Sequence, residues 1–138
     1  FMYHVDFFAV VLSVIAAMVV GSVWYGPLFG KLFMEEMGMD SWSPEKQVAM
    51  RKSMGMSYLL QALGSFIMFY VLAGLIGGFG HLSLGGGTMT ALILWAGFVV
   101  PLKLGDAIWG GNWKLFWLGI GNMFVTLIAA GAIIGAMG

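Results

Sequence analysis

Residues 5 to 23 are the stretch that most limits what this chain can become. They are apolar except for Asp6, Ser13 and Ser22. At about 1.5 Å per residue, a helix of that length covers the roughly 30 Å hydrocarbon core of a bilayer. The run leads directly into Trp24-Tyr25-Gly26-Pro27-Leu28-Phe29-Gly30-Lys31-Leu32-Phe33. Trp24 and Tyr25 suit a membrane interface, where an aromatic ring sits half in lipid and half in water. Gly26-Pro27 is expected to stop the helix, because proline lacks the amide donor and disfavours helical geometry in the residue before it. Asp6 stands where its carboxylate would cap the first free amides and meet the positive end of the helix dipole. The run lacks the basic leader and small-residue cleavage site of a signal peptide, so it is expected to stay in the mature protein.

Three more such segments follow. The chain is 61% hydrophobic and 9% charged, against roughly 45–50% and 25% in soluble domains, which predicts an integral membrane protein. Ser43-Pro44-Glu45 opens a second helix, with serine as cap and proline at the first helical position. No breaker follows until Gly74, Gly77 and Gly78, so this helix should run from Pro44 to about Ile76, its charged first part standing outside the lipid. Gly77 to Gly87 reads as a turn, and Trp109-Gly110-Gly111-Asn112 as a tighter one. The fold expected is all-α: one domain over residues 1–138, a bundle of four transmembrane helices at about 5–25, 54–76, 88–108 and 113–137. Residues 28 to 42, with Glu35 and Glu36, read as a short cytoplasmic interfacial helix or re-entrant turn between the first two.

The Trp24 to Phe33 string, taken with Trp95-Ala96-Gly97-Phe98-Val99-Val100-Pro101 and Trp113-Lys114-Leu115-Phe116, resembles the DUF1761 family of small bacterial membrane proteins. Trp24, Tyr25, Gly26, Pro27, Gly30 and Lys31 carry its most specific part. The resemblance implies a four-helix membrane protein whose function is not established, and it brings no catalytic or binding residue with it.

The basic residues suggest an orientation. Lys31, Lys46, Arg51 and Lys52 lie between the first and second spans, and Lys103 and Lys114 between the third and fourth. Cytoplasmic loops accumulate Lys and Arg, so both chain ends are expected on the non-cytoplasmic side of a bacterial inner membrane. Trp24-Tyr25-Gly26 with Lys31-Leu32-Phe33 also echoes Trp109-Gly110-Gly111 with Lys114-Leu115-Phe116. Such an echo either marks two hairpins related by an axis along the membrane normal or reflects what interfaces select independently.

Polar groups inside the apolar runs are the candidates for chemistry. Gln61, Ser65 and Tyr70 fall on the second span, and Asn122 and Thr126 one turn apart on the fourth. Lipid offers them no partner, so they must face protein or water. Interhelical hydrogen bonds, averaging about 0.6 kcal/mol, are one reading; a polar path between spans two and four is the other. Lys103 and Asp106 share a helical face just after Pro101, as an interfacial ion pair or as an ion site beside a hinge. Met34, Met37, Met39, Met50, Met54 and Met56 suit either packing or a soft metal such as Cu(I). His4 and His81 fall on the same expected outer face, with Asp6 close to His4, a pattern open to a metal or pH-sensing site. Ala17 with Gly21, and Gly131 with Gly135, have the four-residue spacing that lets helices approach closely.

The chain has no cysteine and a formal net charge of zero. Disulfide chemistry and thiolate metal sites are excluded, and nothing points to nucleic acid. It carries no nucleophile-elbow serine, zinc-binding His-Glu-x-x-His or phosphate-binding glycine loop, so neither an enzyme nor a cofactor is expected. The reading is a structural or accessory protein that binds its own copies, another membrane protein or lipid. The alternative is a small oligomeric transporter or channel with Gln61, Asn122, Lys103 and Asp106 nearest the path.

Overall fold

The computed structural model describes residues 5–80 and 82–137, without the side chain of Asp40. Every regular element among them is helical. Helix α1 is Phe7–Val23, α2 Gly30–Met37, α3 Pro44–Gly78, α4 Leu84–Leu94, α5 Val100–Gly110 and α6 Trp113–Met137. One wide π-turn, Trp24–Leu28, extends α1, and a second, Trp95–Val99, joins α4 to α5. Four continuous helical paths are long and apolar enough to cross a membrane: Phe7–Leu28, Pro44–Gly78, Leu84–Gly110 and Trp113–Met137.

The helix starts follow local chemistry. Asp6 Oδ1 accepts the amides of Phe8 at 3.0 Å and Ala9 at 3.4 Å. Ser43 Oγ accepts the Lys46 amide at 3.2 Å, and Ser83 Oγ the Gly86 amide at 2.8 Å. The Ser83 cap corrects one expected boundary: Gly85, Gly86 and Gly87 form the first turns of α4 rather than a loop. At Gly87 the lack of a side chain serves packing. A β-carbon at Gly87, Gly131 or Gly135 would strike the backbone of the facing helix, so α4 and α6 lie backbone against backbone, a geometry open only to very small residues.

Gly26-Pro27 does not stop the first helix. The Phe29 amide reaches back five residues to the Trp24 carbonyl at 2.9 Å. A π-turn inserts one extra residue into the helical ladder, so one amide in it goes unused. Pro27, which has none, fits there without the cost it carries in an α-helix. The path breaks at Phe29, whose φ of −124° and ψ of 11° leave the helical region.

Helix α6 is the hub. It runs antiparallel to both α1 and α4: Gly135 and Gly131, near its end, face the start of α4, while Trp24 and Trp95 reach its first half. The end of α3 flanks the start of α1, where Phe7 meets Phe66 and Tyr70. The main core lies at that end of the bundle, where Ala9, Val10, Phe69, Ile76 and Ala130 are fully enclosed. The other half of α3 leans away, and no residue from Pro44 to Gly64 is buried.

Candidate functional site

Two tryptophans organise the open half. Trp24 and Trp95 each stand first in a π-turn. The Trp24 indole N–H donates to the Leu118 carbonyl at 3.0 Å, and that of Trp95 to the Ile120 carbonyl at 2.8 Å. Both acceptors are on α6, which is thereby gripped from two sides. The Trp24 ring lies over Gly121, where a β-carbon would come within 2.7 Å of it. The Trp95 ring meets Phe124 edge-on, centroids 4.9 Å apart. Trp109, the counterpart suggested by the sequence echo, is 91% exposed. The structural counterpart of Trp24 is therefore Trp95, which shares its Trp-x-Gly start and a downstream proline, Pro27 in one case and Pro101 in the other.

The rest of the Trp24 to Phe33 string folds back on itself. Trp24 packs on Phe29 with centroids 4.7 Å apart, and Tyr25 on Phe33 at 4.8 Å. A β-carbon at Gly30 would lie 2.7 Å from the Tyr25 carbonyl oxygen, so only glycine lets α2 start this close to the π-turn. Lys31 is exposed. Helix α2 is tied to the start of α6: Asn112 accepts the Leu115 amide at 3.0 Å as the cap of α6, and its Nδ2 donates to the Glu36 carbonyl at 3.5 Å. Lys114 pairs with Glu36 at 3.3 Å.

Between the clamped helices and the departing α3 lies a half-open groove of about 410 Å³. Ala17, Met18, Gly21, Ser22, Tyr25 and Gly26 form one wall, Tyr58 and Gln61 the second, and Asn122 the third. The groove exists because α3 leaves the bundle here and because Gly21 and Gly26 put nothing into the gap; a β-carbon at either would meet no atom within 4 Å. Asn122 Oδ1 and Thr126 Oγ1 are enclosed and accept or donate no hydrogen bond. Thr126 is the exception among its kind. The hydroxyls of Ser13, Thr88 and Thr90 each donate to the carbonyl four residues back, at 2.7–2.8 Å.

The structure thus brings Gln61 and Asn122 to one groove, with Thr126 a turn further along α6. Lys103 and Asp106 lie elsewhere, exposed on the rim of a separate recess of about 300 Å³ that Asn112 and Phe116 also line. Among the described residues no ion pair joins them; the ion pair at this end is Lys114–Glu36. Of the small-residue pairs, Gly131 and Gly135 touch α4, while Gly21 opens the groove and Ala17 lines it. Met34, Met37, Met50, Met54 and Met56 are exposed rather than packed in the interior; the last three lie on the half of α3 that leans away from the bundle. The His4 and His81 reading lies outside the described residues. Among those described, no group of three His, Cys, Asp or Glu side chains could hold a metal ion. The parts that sequence reasoning did not find are Ser22, Tyr58, the Trp95 clamp and Asn112. Trp-x-Gly occurs four times, at Trp24, Trp95, Trp109 and Trp117, and only at Trp24 and Trp95 does a proline follow within six residues, which would have paired the two.

Four helices long and apolar enough to cross a membrane, α6 central among them, fit the class of multi-pass, all-helical membrane proteins. Within that class the chain belongs to the DUF1761 family, described as proteins of unknown function, whose model matches residues 8–135. Comparison with curated proteins and with solved structures finds no match.

Proposed function

We propose that this is an accessory protein of the bacterial inner membrane that acts by lateral association, foremost with a second copy of itself, through the free half of α3. One observation carries this reading: Pro44 to Gly64 has no buried residue, and Leu59, Leu60 and Leu63 on it are each more than half exposed, an apolar surface that a further helix would cover. The orientation in this reading puts both chain ends on the non-cytoplasmic side. Its support is that Lys31, Lys46, Arg51, Lys52 and Lys114 all lie on α2 or on the first turns of α3 and α6, at the end of the bundle away from the chain ends. No catalytic step belongs to it.

The test uses the absence of native cysteine. Leu60→Cys in native membranes should give a disulfide-linked dimer under mild oxidation, and Val19→Cys on the exposed side of α1 should not. Native mass spectrometry of protein released directly from the membrane should show the same dimer. A monomer carrying only bulk lipid in both measurements would overturn the reading. The unpaired Asn122 oxygen favours a second reading, passage of a small solute through an oligomer; there Gln61→Leu would change flux while assembly survived.

A further inference from the structure

The groove between α1, α3 and α6 has a composition that selects a ligand. None of its lining residues is Asp, Glu, Lys, Arg or His. Its polar groups are two phenols, Tyr25 and Tyr58, two carboxamides, Gln61 and Asn122, and the Ser22 hydroxyl. Its volume of about 410 Å³ falls in the roughly 300–1,000 Å³ range of small-molecule sites. Met18 and Ala17 supply an apolar wall. An enclosed acceptor without a partner is destabilising, and the Asn122 oxygen, in the wall of the groove, is such an acceptor. A charged ligand would enter without a counter-charge, which a site of low dielectric penalises heavily.

We propose that this groove binds a neutral, hydroxyl-rich molecule, with the carboxamides of Asn122 and Gln61 and the phenols of Tyr25 and Tyr58 holding its hydroxyls. The same chemistry has two sources: a free polyol such as a sugar, or the uncharged sugar headgroup of a glycolipid entering through the open side. The site is independent of the α3 association, since it uses the face of α3 turned toward α1.

The sequence makes the test direct. The chain has two asparagines, Asn112 and Asn122, and two glutamines, Gln47 and Gln61. Labelling the side-chain amides with ¹⁵N therefore gives two reporters in the groove and two outside it. The full chain in phosphatidylcholine nanodiscs is titrated with methyl β-glucoside in solution, and separately with glucosyl-diacylglycerol in the disc. The Asn122 and Gln61 signals should move saturably with at least one of these while Asn112 and Gln47 stay in place. A response to the glucoside identifies the soluble source, and a response to the lipid alone the headgroup. Glycerol 3-phosphate should move none of them. Tyr58→Phe and Tyr25→Phe keep the rings and should each weaken binding about five- to tenfold. Four signals that stay still with both sugars, four that move together, an equal response to glycerol 3-phosphate, or unchanged binding in both tyrosine variants would each overturn the proposal.

Discussion

The two ends of the bundle are built on opposite rules. Where α1 and α4 begin, helices meet without gaps: Gly87 lies on Gly131 and Gly135, and Phe69, Ile76 and Val10 are sealed behind them. Where the π-turns lie, two indole hydrogen bonds tie α6 to its neighbours, and beside them, where α3 departs, a groove with an unpaired amide oxygen opens. The first end spends its small residues on contact. The second uses Gly21 and Gly26 to leave space. The same residue type thus closes one end and opens the other, and its role depends on whether a neighbouring backbone stands within reach.

This contrast can be broken in a graded way. The largest effect is expected from Gly131→Leu, whose side chain has no room beside Gly87 and Ala91; overpacking of this kind costs about 3 kcal/mol or more, read as a loss of folded protein in a denaturant titration. Gly21→Leu, on the same size scale, should cost less than about 1 kcal/mol, because it grows into the groove. Equal losses at the two glycines would erase the distinction between the ends.

Next come the clamps. Trp95→Phe removes the donor to the Ile120 carbonyl and part of the ring packed on Phe124, and should cost about 1–2 kcal/mol. Gly121→Ala should destabilise the protein by forcing the Trp24 ring away, yet be close to neutral once Trp24 is alanine. The coupling in that double-mutant cycle should be about 1 kcal/mol, and additive effects would show that the ring does not rest on Gly121.

Smaller still, Asn122→Leu removes an amide whose oxygen no protein group satisfies. It should be neutral or stabilising by up to about 1 kcal/mol, whereas a cost above that would mean that the amide has a partner in the membrane. Last, Glu36→Gln should change stability by less than about 0.5 kcal/mol, since the Lys114 partner is exposed; the Asn112 bond to the Glu36 backbone survives this substitution.

Particular residues show what was legible beforehand. Asp6 and Ser43 announced their helices because a cap acts on amides two or three residues away, and such signals are written locally. Four apolar runs likewise read as four helices long enough to cross a membrane, because the length of a run is a local property too. Gly85 to Gly87 misled, since three glycines in a row read as a loop until the Ser83 cap and the helix facing Gly87 are in view. Pro27 misled too: a proline ends an α-helix, but a π-turn accommodates it. The candidate site was half legible. Gln61 and Asn122 stood out as polar residues in apolar runs, while Tyr58 and Ser22 look ordinary until α3 and α1 are placed on either side of a gap. Lys103 and Asp106 had the right spacing for a pair, but spacing along one helix says nothing of what stands opposite.

What the sequence determined by itself was the helical class, the number of spans and most of their ends, because hydropathy, capping and proline act within a few residues. What only the tertiary structure decided was the join between the halves. The Trp24 indole finds its carbonyl 94 residues away, and both π-turns, the open groove and the backbone contact of α4 with α6 depend on where α6 lies. A bond of that kind is set by the position of a whole helix, which no window of sequence contains.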